Sequence, residues 1–288
     1  MSEPSESRVP SPESRKIAFI GGGNMARSLI GALIGHGRLP ASLGVAEPRS
    51  ELRDALFRDF GVSAVADNAA AVADAGCVVL AVKPQVMHGV CAELAGPLRK
   101  TEPLVISIAA GIRIAQLEDL LGMQHAIVRC MPNTPALAGA GATGLCANRN
   151  VNVEQRALAE DILATAGMVR WIDDEAQMDT VTALSGSGPA YFFLLAEAME
   201  DAAVELGLPR DTARALAAHT CLGAGRMLTT GRGETAASLR QRVTSPHGTT
   251  EAALDVFEQG GLRALVEKAL TAARNRGVEM SAELDGHP

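Results

Sequence analysis

From Lys16 to about Ile172, short apolar runs alternate with stretches of helical spacing. KIAFIG (16–21), LGVAE (43–47), CVVLAV (77–82), LVISIA (104–109), AIVRCM (126–131) and ATGLCA (142–147) read as strands. Between them, patterns such as NMARSLIGALIGHG (24–37) and SELRDALFRDFG (50–61) read as helices. Strands this apolar have no wet face, so the alternation predicts a mostly parallel, doubly wound sheet covered on both sides. Beyond Ile172 the strands stop. DDEAQMDTVTAL, PAYFFLLAEAMEDAAVELG, DTARALAAHTCLGAGRML, ETAASLRQRV, TTEAALDVFEQG and LRALVEKALTAARNRG all carry helical spacing. The expected organisation is an α/β domain over 16–172 and an all-α domain over 173–288, with a disordered tail over 1–15. That tail, MSEPSESRVPSPESR, is rich in Ser, Pro and Glu and has no apolar stretch of the kind a signal peptide needs.

Composition narrows this picture in a few places. Aromatic residues are only 3% of the 288, so the core must be built from Ala, Val, Leu and Ile. A net charge of -7 argues against a nucleic-acid partner, because phosphate binding needs a basic surface. No apolar stretch reaches membrane-spanning length, so no membrane partner is expected. The five cysteines form no CxxC pair and are odd in number, which predicts buried thiols in a reducing, cytoplasmic compartment. No His, Cys or carboxylate set has metal-ligand spacing, so no metal is expected.

The candidate chemistry begins at the first strand. KIAFIGGGNMA places Gly21-x-Gly23-x-x-Ala26 between a strand and a helix that opens at Asn24 and Met25. Gly21 permits the tight turn, Gly23 lets backbone approach a pyrophosphate, and the helix start presents N–H groups to it. A dinucleotide is therefore the expected ligand. At the end of the second strand, Glu47 suits a ribose 2′-OH and favours NADH. Arg49 and Ser50 suit a 2′-phosphate and favour NADPH. Both cofactors stay open at this point. Ligands bind at the carboxyl ends of parallel strands, which marks Val82-Lys83-Pro84 and Ala109-Ala110-Gly111, where small side chains would admit a flat nicotinamide. Position alone also allows Lys83 to be a surface capping residue.

What is missing is equally informative. SGSGPAY (185–191) resembles the opening of the central helix in β-hydroxyacid dehydrogenases, whose catalytic lysine follows about one turn on. Here that position holds Phe192 or Phe193. A carbonyl reductase without its acid is a poor catalyst. A basic imine can arrive already protonated, and then needs only a neutral hydrogen-bonding group near nitrogen.

FIGGGNMA, AVKPQ, RCMPNTP, ALSGSGPAY and VTSPHGTT occur in the order found in pyrroline-5-carboxylate reductases, which this chain resembles from Lys16 to about Met280. The resemblance implies reduction of 1-pyrroline-5-carboxylate to L-proline with NADPH or NADH. It also implies an interleaved homodimer, often assembled into a decamer, with active sites shared between protomers. Residue by residue, it implies that Thr250 bonds the ring nitrogen. It places the substrate carboxylate on backbone N–H groups of the turn that runs from Ser245 through Pro246, His247 and Gly248 to Thr249. Lys83, Ala109 and Ala110 would lie near the nicotinamide and its ribose, with Asn133 in the wall of the cofactor cleft. His247 departs from the Gly, Ala or Asn usual there, and reads either as a proton donor or as a turn residue that tolerates positive φ. The readings set against this one are a β-hydroxyacid dehydrogenase and a non-catalytic dinucleotide-binding regulator.

Overall fold

The computed structural model describes residues 16–231 and 233–285; the predicted tail lies outside them. Eight strands form one sheet in the order β3-β2-β1-β4-β5-β6-β7-β8. They are β1 (Lys16–Ile20), β2 (Leu43–Ala46), β3 (Ala64–Val65), β4 (Ala75–Leu80), β5 (Leu104–Ser107), β6 (Ile127–Met131), β7 (Gly141–Ala147) and β8 (Gly167–Trp171). The six expected strands are all present. The two edge strands, β3 and β8, were not anticipated. β3 has only two residues, and of the five in β8 only Val169 is buried, so neither shows the apolar run that marks the others.

The sheet is parallel except where β7 meets β6. The link between these two contains a 3-10 turn, Thr134–Ala138, and no crossover helix, so the chain doubles back as a hairpin does. Along the parallel strands, alternate residues face opposite layers. Ile17, Phe19, Val79 and Ile106 pack under α1 (Asn24–Gly35), α2 (Ser50–Phe60) and, further along the sheet, α6 (Val153–Ala164). Ala18, Ile20, Val78 and Leu80 pack under α3 (Asn68–Val72), α4 (Met87–Thr101) and α5 (Ile114–Leu121). Four thiols, on Cys77, Cys91, Cys130 and Cys146, are packing groups in these layers. Burial pushes Cys77 and Cys91 up to about 12, which leaves them inert as nucleophiles.

The expected boundary at 172/173 is not where the compact units divide. One unit runs to Gly186 and regains the stretch from Arg274; the other is Ser187–Ala273. The reason is a set of contacts just past β8. Arg129 of β6, almost fully buried, donates from Nη1 to Glu175 (3.0 Å) and from Nη2 to Asp179 (3.2 Å). Glu175 also accepts the N–H of Ile114 at the start of α5 (2.8 Å), and Met178 is wholly buried in the second layer. The first helical turns after the sheet, including α7 (Met178–Val181), therefore belong to the sheet's core.

The chain leaves this unit through a π-helical turn, Thr182–Gly186, and then forms α8 (Gly188–Glu205), α9 (Arg210–Thr230), α10 (Ala236–Arg242), α11 (Thr249–Gln259) and α12 (Leu262–Asp285). The second unit hides few apolar side chains. Ala213, Ala217 and Leu239 are buried, whereas Phe192, Phe193, Leu194, Leu265 and Val256 are each more than half exposed in one protomer. Cys221 on α9 is exposed too, contrary to the expectation that every thiol is buried. Among the described residues no helix is long and apolar enough to cross a membrane. A surface this apolar belongs to an interface.

Candidate functional site

The strand order turns outward on both sides between β1 and β4, and such a switch point opens a crevice at the carboxyl ends of the strands. Gly21 leaves β1 at φ 98°, and a Cβ there would stand 2.7 Å from the carbonyl oxygen of Ala81. Only glycine satisfies both conditions. Gly22, which the motif reading passed over, is closely packed as well, since a Cβ there would stand 3.0 Å from Leu56 Cδ1. Gly23 differs: a Cβ there meets nothing within 4 Å. It is the N-cap of α1, with no side-chain cap and no acidic residue in the first turn. Asn24 is exposed at that helix start, and Met25 is half-buried against the core. An open, uncapped helix start with space before it fits a pyrophosphate.

Glu47 is buried at the end of β2, and its carboxylate is already engaged. It accepts the N–H of Gly22 (2.9 Å) and, through its other oxygen, the Nε (2.9 Å) and backbone N–H (3.2 Å) of Arg49. Burial would raise its pKa; the bonds from the Arg49 side chain, from Gly22 and from the Arg49 backbone outweigh burial and hold the carboxyl below its ordinary range. Glu47 thus fastens the glycine turn to β2. Arg49 and Ser50 are exposed beside it at the start of α2. Arg53 closes the same corner by donating to the carbonyls of Glu47 (2.8 Å) and Pro48 (2.7 Å).

The other strand ends converge on the same edge. Val82 lines the Gly21 turn, Lys83 is exposed, and Pro84 starts a 3-10 turn. Past β5, Ala109 is buried and Gly111 takes φ 77°. Asn133, past β6, serves the fold: its Oδ1 accepts from Ala142 N–H (2.9 Å) and its Nδ2 donates to the Ser185 carbonyl (2.9 Å). The two ends of its amide hold the β6–β7 connection and the π-helical turn, which is why it is nine-tenths buried.

The VTSPHGTT segment lies in the second unit and runs into α11, which begins at Thr249. His247 has φ 58°, the positive-φ conformation expected of a turn residue, and its imidazole is fully exposed. The N–H groups of the turn are not all available, contrary to expectation. Pro246 has none, Gly248 donates to the Ser245 carbonyl (3.0 Å), and His247 donates to Glu251 Oε2 (2.6 Å). Gly248 is the N-cap and provides no side-chain bond, so the open donors of α11 are those of its first turn, Thr249 to Glu251. Thr250 stands second in that turn. Glu251 was missed, although a carboxylate three residues after an N-cap is a recognisable capping pattern.

A dinucleotide cradle in one unit and an apolar helical unit made for association define a nucleotide-dependent oxidoreductase of the self-associating kind. Residues 16–111 match the family model "NADP oxidoreductase coenzyme F420-dependent", and residues 175–280 match "Pyrroline-5-carboxylate reductase dimerisation". The pyrroline-5-carboxylate reductase of Pseudomonas aeruginosa is 52% identical over 93% of this chain and 98% of its own length. Among solved structures, the pyrroline-5-carboxylate reductase of Coxiella burnetii superposes with a TM-score of 0.89 at 47% identity, covering 93% of this chain and 99% of that one. The Plasmodium falciparum pyrroline carboxylate reductase with NADP bound gives 0.82 at 30%, with the same coverage. The chain belongs to the pyrroline-5-carboxylate reductase family.

Proposed function

We propose that the protein reduces the C=N bond of 1-pyrroline-5-carboxylate to give L-proline, with NADPH or NADH as coenzyme and as an obligate homodimer. The observation that carries the reading is the start of α11: open N–H groups from Thr249 to Glu251, with the Thr250 hydroxyl in the same turn. In this reading the N–H groups hold the substrate carboxylate and Thr250 hydrogen-bonds the ring nitrogen. The bound coenzyme supplies the hydride. The ring nitrogen arrives as an iminium, so the protein needs to orient it but not to protonate it. His247, with its imidazole turned to solvent, is a turn residue in this account and not the acid.

The coenzyme lies against the Gly21–Gly23 turn, with Lys83, Ala109 and Ala110 at the nicotinamide end. The Glu47 carboxylate is occupied by Gly22 and Arg49, while Arg49 and Ser50 are exposed beside it, which supports their reading a 2′-phosphate and so favours NADPH. Dimers of this kind assemble further into a decamer, and buried, unpaired thiols fit a reducing cytoplasm. The test is steady-state oxidation of NADPH and of NADH with pyrroline-5-carboxylate, then with a panel of hydroxy acids. Turnover with the imine alone supports the reading. Tight coenzyme binding without turnover of any substrate would favour a regulator.

A further inference from the structure

The two oxygens of the Glu47 carboxylate have separate tasks. Oε2 accepts the N–H of Gly22 (2.9 Å), within the Gly21–Gly23 turn. Oε1 accepts both the Nε (2.9 Å) and the backbone N–H (3.2 Å) of Arg49. The Glu47 side chain is 4% exposed, whereas that of Arg49, bonded to it, is 64% exposed. Arg49 is thus gripped by its Nε, and among the described residues no hydrogen bond engages its Nη1 or Nη2. Those donors form an edge with which a guanidinium meets a phosphate. Arg53 fixes the backbone of the same corner through the carbonyls of Glu47 and Pro48.

We infer that Glu47 is a positioning residue for coenzyme choice that acts through Arg49, within the coenzyme site proposed above, on which this inference rests. A carboxylate at the end of the second strand ordinarily bonds the ribose 2′-OH and repels a 2′-phosphate, so it favours NADH. Here it works in the opposite direction. To reach a ribose, Glu47 would give up its bonds from Gly22 and Arg49. Left in place, it orders the long Arg49 side chain before the coenzyme arrives, which lowers the entropic cost of gripping a 2′-phosphate. NADH has no group for that edge to meet and gains nothing from its order. Oε2, by contrast, supports a turn that both coenzymes share, so it changes the two affinities together.

Glu47→Gln separates the two tasks. The amide has one accepting oxygen, cannot serve Gly22 and Arg49 together, and holds a guanidinium more weakly than a carboxylate does. Dissociation constants of NADPH and NADH are measured calorimetrically for the wild type, Glu47→Gln, Arg49→Ala and the double variant. The ratio of the two constants cancels any general loosening of the glycine turn. Glu47→Gln should lower the relative affinity for NADPH roughly 2- to 12-fold, the cost of ordering one long side chain. In the Arg49→Ala background only the relief of repulsion is left, so the same change should hold or raise that ratio. No change, or a rise, when Glu47→Gln is made in the wild type overturns the inference. So does an equal fall in both backgrounds, because the effect would not pass through Arg49. If Arg49→Ala lowers the relative affinity for NADPH while Glu47→Gln does not, the coenzyme reading stands and only the role of Glu47 falls. If Arg49→Ala leaves the ratio intact, the 2′-phosphate is read elsewhere, and that reading fails together with the inference.

Discussion

The two compact units treat their apolar residues in opposite ways. In the sheet unit, Phe19, Leu29, Leu94 and Ile106 are completely buried by the chain's own layers. In the helical unit, Phe193 and Leu194 stand about two-thirds exposed on α8, and Leu265 on α12 is similar. The first unit owns its core; the second has the half of a core that a second copy completes. The chemistry follows the same division. In the proposal above, the coenzyme meets the Gly21 turn, which Glu47 ties to β2 in the first unit, whereas Thr250 belongs to the second.

The hardest test of this contrast is Phe193→Asp on α8. If the exposed apolar face of α8 is buried by association, a charge there should abolish the dimer and lower activity more than a hundredfold, since buried unpaired charge costs several kcal/mol. Sedimentation velocity reports the association state. Trp171, the sole tryptophan, lies on β8 of the sheet unit, so its emission should stay native while helical circular dichroism falls. If the variant remains a dimer, the exposed face is not the interface. The complementary change is Leu94→Ala on α4, wholly buried in the sheet unit. It should cost about 2–5 kcal/mol in chemical denaturation and leave the association state unaltered.

Between these extremes lies Thr250→Ala. Loss of one hydrogen bond to a charged nitrogen is worth about 1.5–3 kcal/mol, so kcat/KM should fall roughly 10- to 150-fold while NADPH affinity holds. An equal loss of coenzyme affinity would mean that the two functions are not divided between the units as argued.

How much of this could be read from the chain depended on the range of the physics involved. β1, β4 and β5 are legible because each is a run of residues buried on both faces. β8 is not, since Met168 and Arg170 face solvent and only pairing with β7 makes it a strand. The positive φ of His247 was foreseeable from residue type, and the Gly21 turn from its neighbours. Glu47 shows the limit. Its place after β2 follows from the strand, but whether its carboxylate meets a ribose or the N–H of Gly22 depends on residues 25 positions apart. Likewise, the pull of Glu175 and Asp179 into the sheet unit comes from Arg129, about 50 residues earlier, and no local pattern reports it.

The smallest effect concerns pH and sharpens the claim that the sheet unit is self-sufficient. His125, just before β6, is buried, and this burial is the main cause that holds its imidazole below its ordinary value of 6.5; Glu102 opposes the shift and Arg99 adds to it. A histidine kept neutral by the fold gains its proton more readily when unfolded. Its contribution is therefore fully present above about pH 6.5 and is lost as the pH falls through that value toward the lower folded pKa. Unfolding followed by Trp171 emission should show Tm declining below pH 6.5, and His125→Gln should flatten this decline relative to the wild type. Because the group belongs to the sheet core, the dimer's dissociation constant should not share the transition. If dissociation and unfolding move together across it, the two units are coupled more tightly than their separate cores suggest.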